Sequence, residues 1–176
     1  ALDIEDGLSD DHAERVAFIA ATIADELNLP EEDLDTIISA ALLHDIGKLG
    51  IDTKILSKGG ELTATEFEEI KKHPILGAEL LHNAKFFEKE LPMILHHHER
   101  FDGTGYPNGL QGEAIPLGAR IIGLAEAIEG LLSGTTYREA SSIQEIVVEL
   151  QRCSETQFDP DLVQIAVRLL ENGRID

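Results

Sequence analysis

Five of the seven histidines in this chain, His12, His44, His73, His97 and His98, sit on or beside apolar stripes, where a neutral side chain is the ordinary occupant. Each buried imidazole needs a partner. Imidazole nitrogen and carboxylate oxygen form the ligand set of Zn, Fe and Mn, and adjacent helices can aim several such ligands at one point. Asp45, next to His44, is placed to bridge two ions. A bridged pair roughly 3.5–4 Å apart activates a water as nucleophile and neutralises a phosphoryl group in transfer. Singly, each histidine reads more readily as a hydrogen-bonded core or surface residue. Jointly, one on a first helix, a His-Asp pair ending a second, one ending a third and a His pair ending a later one point to a metal cluster. His82 and His96 are set aside as structural or exposed.

Charge narrows the chemistry further. Fourteen Lys plus Arg against 34 Asp plus Glu leave a net charge of −20. Such a surface repels polyanions, which excludes holding DNA or RNA polymers by counterion release. A phosphate-bearing substrate has to be small and has to meet local positive charge, of which a metal is the natural source. The single Cys153 excludes an internal disulfide and fits a reducing compartment, so a cytoplasmic location is expected. No apolar run approaches the ~20 residues of a membrane span, and the opening ALDIEDGLSDDH lacks signal-peptide order. No membrane partner is expected. The chain begins at Ala1 and its only methionine is Met93, which fits a domain excised from a longer multidomain protein or a chain that lost its initiator.

The elements that must position these residues read as helices. From Asp10 the stripe Val16, Ile19, Ala20, Ile23, Ala24 and Leu27 marks one helix, and Glu31 opens another with Leu34, Ile37, Ile38, Ala41 and Leu42 inward, ending near Gly47. His44 and Asp45 follow Ile37 and Ile38 by seven residues and point inward with them. A capping box at Thr63 and Glu66 starts a third helix that runs to His73-Pro74, and another begins near Pro74. Leu91, Ile94, Leu95 and His98 continue the spacing, residues 101–116 form a long Gly- and Pro-rich loop, and helices follow at Arg120–Leu132, near Ser142–Leu150 and at Asp161–Leu170. No strand alternation or repeat is present. The expectation is an all-α fold, one compact domain over residues 1–176 with roughly seven helices.

The segments ALLHDIGKLGI, ELTATEFEEIKKHPILGAELL and HHHERFDGTGYPNGLQGEAIPLGARI resemble the HD-GYP domain, a branch of the HD phosphohydrolase superfamily. The signature HHExxDGxGYP is complete as His97, His98, Glu99, Asp102, Gly103, Gly105, Tyr106 and Pro107, and the similarity is recognisable from about residue 9 to residue 170. The resemblance implies hydrolysis of cyclic di-GMP, a bacterial second messenger, to linear pGpG or GMP by a metal-bridging hydroxide, with Fe or Mn as the divalent ions. It implies that His12, His44 and Asp45 hold one ion, and that Asp45, as bridge, joins His73, His97 and His98 around the other. Lys48 in the HDIGK turn is expected on the scissile phosphate, and Asp102, Gly103, Gly105, Tyr106 and Pro107 at the substrate mouth. GGDEF-type, sensory or receiver domains commonly accompany this domain and are the expected partners beside cyclic di-GMP.

Three positions depart from the family pattern. Glu126 and Glu129 stand where aspartates are usual, so the ligand at the first ion is expected to be Glu126, its carboxylate moved by one bond length and its binding weakened. Leu8 replaces the acid associated with a third ion, so two ions are expected. Thr135 stands where an arginine usually meets substrate, with Arg138 or Arg100 as the residues to compensate. Two other readings therefore stay open: a phosphodiesterase for another cyclic dinucleotide such as cyclic GMP-AMP, and a catalytically weakened receptor or interaction module that binds through the GYP loop. A purely structural helical domain is the third, and it requires metal-free protein.

Overall fold

The computed structural model describes residues 10–134 and 140–176. Within them α1 (Asp10–Asp25), α2 (Glu31–Leu43), α3 (Thr53–Leu56), α4 (Ala64–Ile70), α5 (His73–His82), α6 (Leu91–His96), α7 (Leu117–Ser133), α8 (Ile143–Cys153) and α9 (Pro160–Glu171) are joined by loops and short 3-10 turns, one of them at Ile46–Gly50. No strand forms among the described residues; Ser154 and Phe158 make one isolated bridge. The all-α expectation holds, and the single-turn α3 is the element that apolar spacing does not announce.

The centre of the molecule is α7. Ala119, Ile121, Ile122, Leu124, Ala125, Ile128 and Leu131 are buried nearly all round it, the pattern of a core helix. Its first turn comes at Leu117, after Pro116, earlier than the sequence expectation of Arg120. Against it packs α1, whose buried Val16, Ile19, Ala20, Ile23 and Ala24 include small residues that let helices approach closely. α1 also packs on α2, which opens after Pro30 with Glu31, Glu32 and Asp33 at the positive end of its dipole. One stripe residue departs from expectation: Leu42 is 45% exposed. The buried face of α2 centres on Ile37, Ala40 and Ala41, and a further turn of about 100° per residue carries Leu42 off it.

Several helix boundaries matter for the site. The Thr63–Glu66 capping box is present, yet α4 stops at Ile70 rather than running to His73. α6 stops at His96, so His97 and His98 lie beyond its end. The turn at Ile46–Gly50 packs against α5 so tightly that a Cβ on Gly47 would stand 1.9 Å from the His73 carbonyl oxygen and 2.4 Å from the Gly77 nitrogen. Only glycine allows that approach. No helix among the described residues is long and apolar enough to cross a membrane.

Gly47→Ala is therefore expected to force the HDIGK turn and α5 apart, at a cost of about 1–3 kcal/mol or more. Urea unfolding measures it, and an unchanged midpoint would contradict the close approach.

Candidate metal centre

The last carbonyls of a helix have no donors from the helix itself. Three of the histidines exploit this. His44 Nδ1 donates to the Ala41 carbonyl at the end of α2 (2.6 Å), His73 Nδ1 to Ile70 at the end of α4 (2.8 Å) and His97 Nδ1 to Ile94 near the end of α6 (2.7 Å). Each bond places the proton on Nδ1 and leaves the Nε2 lone pair free, an arrangement typical of metal-ligating histidine. The Nε2 atoms of His73 and His97 face each other at 3.3 Å, where two lone pairs repel unless a positive charge lies near both. These helix breaks, which fall earlier than the apolar spacing predicts, thus supply the acceptors that orient the rings.

The donors assemble into two groups. His12, His44, Asp45 and Glu126 bring one ligand atom each to within 4.8 Å of one another, and His73, His97 and His98 do the same. Asp45 faces both: its Oδ2 is 3.4 Å from His44 Nε2 and its Oδ1 is 3.4 Å from His73 Nε2. His44 Nε2 and Asp45 Oδ1 are buried without a hydrogen-bond partner among the described residues. Such orphaned groups are costly to bury and are what a cation would satisfy. The nitrogen and oxygen donor set suits divalent first-row ions. The residues fit a metal centre. The extra methylene of Glu126 does not take its carboxylate out of the first group, and its Oε2 also lies 3.9 Å from His98 Nδ1.

The electrostatics agree with a site built for positive charge. Burial works to raise the Asp45 pKa, but His44, Lys48 and His73 outweigh it and hold the carboxyl well below the usual range. Glu126 is likewise lowered, burial being overcome by His98 and His44. Burial, reinforced by neighbouring His98, pushes His73 down to about 4, and burial with the surrounding imidazoles pushes His97 well below its ordinary value. His98 moves the same way, burial leading. His12 is raised: burial would lower it, but the Glu129 carboxylate prevails. Lys48 is buried, and its Nζ donates to Asp45 Oδ2 at 2.7 Å, so the residue expected on the phosphate is ion-paired with Asp45.

The GYP loop is folded over the second group. Buried Glu99 accepts from the backbone nitrogens of Asn108 (2.8 Å) and Leu110 (3.0 Å), and Tyr106 N donates to the His98 carbonyl. Gly105 passes so close to the preceding strand of chain that a Cβ there would stand 2.3 Å from Arg100 N. This folding stacks the Tyr106 ring on His98, with centroids 5.0 Å apart, and places Lys71 Nζ 5.3 Å from the same ring. The Tyr106-Pro107 peptide is cis. Asp102 closes a turn by accepting from the Thr104 nitrogen and hydroxyl, and Gly103 follows it at φ 83°. Both fix the turn within the loop. Arg138 and Thr135, proposed around substrate, and Leu8 lie outside the described residues.

Glu99 and Glu129 are buried carboxylates beside the two ligand groups that residue spacing did not single out. Glu99 was visible only as part of the signature. Glu129 was named only as a departure from the family pattern, without a role; its place three residues after Glu126, on the same side of a largely apolar helix where a carboxylate needs buried donors, was the signal.

The model of the HD domain family matches residues 1–162. The chain is 40% identical over 170 residues to the cyclic di-GMP phosphodiesterase response regulator RpfG of Xanthomonas campestris, covering 96% of this chain and 45% of that protein. It is 36% identical to a cyclic di-GMP phosphodiesterase of Thermotoga maritima, over 90% of this chain and 44% of that one. The chain thus spans less than half the length of these curated relatives. Among solved structures, a cyclic GMP-AMP specific phosphodiesterase of Vibrio cholerae superposes with a TM-score of 0.75 at 26% identity, covering 99% of this chain and 47% of its own.

The depressed histidines set a pH dependence. In metal-free protein His73, and with it His97 and His98, takes up protons more readily unfolded than folded, so stability is full above the unfolded value near 6.5 and falls as pH drops toward about 4. His12 acts in the opposite sense and offsets part of this. Thermal midpoints in chelator should fall between pH 7 and pH 4.5; a midpoint that rises over that range would contradict the buried neutral histidines.

Proposed function

The chain belongs to the HD-domain family, in the branch marked by the HD-GYP signature, and from that premise we propose that it is a metal-dependent phosphodiesterase that hydrolyses cyclic di-GMP to linear pGpG, GMP or both. The observation that carries this reading is the Asp45 carboxylate, which turns one oxygen toward each of two ligand groups. His12, His44 and Glu126 would hold one divalent ion, His73, His97 and His98 a second, and Asp45 both; Fe or Mn suits these donors. Bound ions of this kind supply Lewis acidity toward phosphoryl oxygen and lower the pKa of water.

The chain's own residues do the rest. Water adds across one phosphodiester, the P–O3′ bond breaks, and a 5′-phosphate and a 3′-hydroxyl result. Lys48, already seated against Asp45, brings a fixed cation to the phosphate in a protein of net charge −20. Tyr106, held on His98 by the Glu99-anchored loop, offers an aromatic face at the mouth for a nucleobase. Asp102, Gly103, Gly105 and Pro107 give that loop its shape, and Arg138 is the further basic residue assigned to substrate. The relatives' greater length, and the response-regulator name of one of them, support attached receiver or sensory domains and a cytoplasmic setting.

Protein purified without oxygen, or reloaded with Mn2+, is expected to convert cyclic di-GMP, with cyclic GMP-AMP as the comparison substrate. Asp45→Asn should lower kcat by about 10²–10³-fold or more while the chain stays folded. Preferred turnover of cyclic GMP-AMP would reassign the substrate; metal-loaded protein that binds both nucleotides without hydrolysing either would overturn the enzyme reading in favour of a receptor.

A further inference from the structure

Glu129 is 3% exposed, yet it belongs to neither ligand group. Its Oε2 lies 2.7 Å from His12 Nδ1, and its Oε1 accepts from Arg15 Nε at 2.7 Å and from the Ser133 hydroxyl at 2.6 Å. Arg15 approaches the same oxygen with a second nitrogen, also at 2.7 Å. Three donor residues, His12, Arg15 and Ser133, thus converge on this one carboxylate, whose oxygens accept, so His12 Nδ1 is the donor of the shared bond.

The reason for this carboxylate lies in where His12 stands. His44, His73 and His97 follow helix ends, where spare carbonyls accept their Nδ1 protons. His12 lies in the first turn of α1, where the spare backbone groups are N–H donors and offer an imidazole N–H nothing to bond. An acceptor has to come from another element. α7 supplies it one turn beyond Glu126, so the same helix presents one acid to the ligand group and one to the back of a ring in that group.

We propose that Glu129 is the positioning residue of the first ion site, acting through His12: it holds the Nδ1–H tautomer, orients Nε2 toward His44, Asp45 and Glu126, and raises the donor strength of that nitrogen. Arg15 and Ser133 hold Glu129 itself, and the ion pair joins α1 to α7. The proposal rests on the reading of His12 as a ligand.

Titration of metal-stripped protein with Mn2+, followed by calorimetry and by the spin signal of free ion, tests it. Wild-type protein should bind two ions. Glu129→Gln should weaken one of them by about 10–100-fold and leave the other nearly unchanged. The loss should not add to that of His12→Ala, because both remove the same interaction. Two unaltered constants in folded Glu129→Gln, or additive losses, would overturn the positioning role, whereas wild-type protein that binds no ion would overturn the metal reading itself. Independently of any variant, Cd2+-loaded wild-type protein should show His12 coupled to cadmium through Nε2, with a strongly hydrogen-bonded Nδ1 proton in its NMR spectrum. Coordination through Nδ1 would contradict the proposal.

Discussion

A carboxylate with one oxygen aimed at each of two histidine groups, and with one of those oxygens left without a hydrogen-bond donor among the described residues, is the constraint around which this fold is arranged. Asp45 is 7% exposed, and a charged group at that depth is tolerated only if the surroundings return what water gave. Lys48 returns part of it. The remainder is left to His44 and His73, which meet the carboxylate with Nε2 lone pairs when neutral and attract it only when they carry a proton. Negative oxygen and imidazole lone pairs turned toward a common space are mutually unfavourable in the absence of a cation, so the arrangement makes physical sense as a receptacle for one or two.

What keeps these atoms in place is the use of helix termini. Three helices end where their last carbonyls can take an imidazole proton, and α1, which carries His12 in its first turn where the spare backbone groups are donors, borrows a carboxylate from α7. The tight seat of Gly47 on α5 then sets the distance between His44-Asp45 and His73. Backbone packing and hydrogen bonding thus decide both the tautomer and the separation of the donors. The GYP loop adds the outer layer: Glu99 ties it down by two backbone amides, and Tyr106 covers His98. In a protein of net charge −20, Lys48 on Asp45 and Lys71 beside the Tyr106 ring are cations close to these groups.

Much of this was legible from residue types and spacing. The helical period of α1, α2 and α7, the Thr63–Glu66 capping box and the inward placement of His44 and Asp45 follow from apolar periodicity, which the core enforces. The grouping of His12, His44 and Asp45 with Glu126, and of His73 with His97 and His98, came from resemblance and has its geometric counterpart in two clusters. Periodicity failed where it had to: it ran α4 into His73 and α6 through His98, because an apolar stripe carries no mark of which carbonyl a histidine will take. It also placed Leu42 inward, one position past the edge of the buried face. Glu129 was hidden for another reason. Its role depends on His12 and Arg15, more than a hundred residues earlier in the chain, and only the packing of α1 on α7 brings them together.

Whether Asp45 joins two ion sites is tested most directly by anomalous diffraction from Mn2+-loaded crystals. Two peaks are expected, roughly 3.5–4 Å apart, one against His12, His44 and Glu126, the other against His73, His97 and His98, with Asp45 contacting both. A single ion, or ions that leave Asp45 on Lys48 alone, would contradict it.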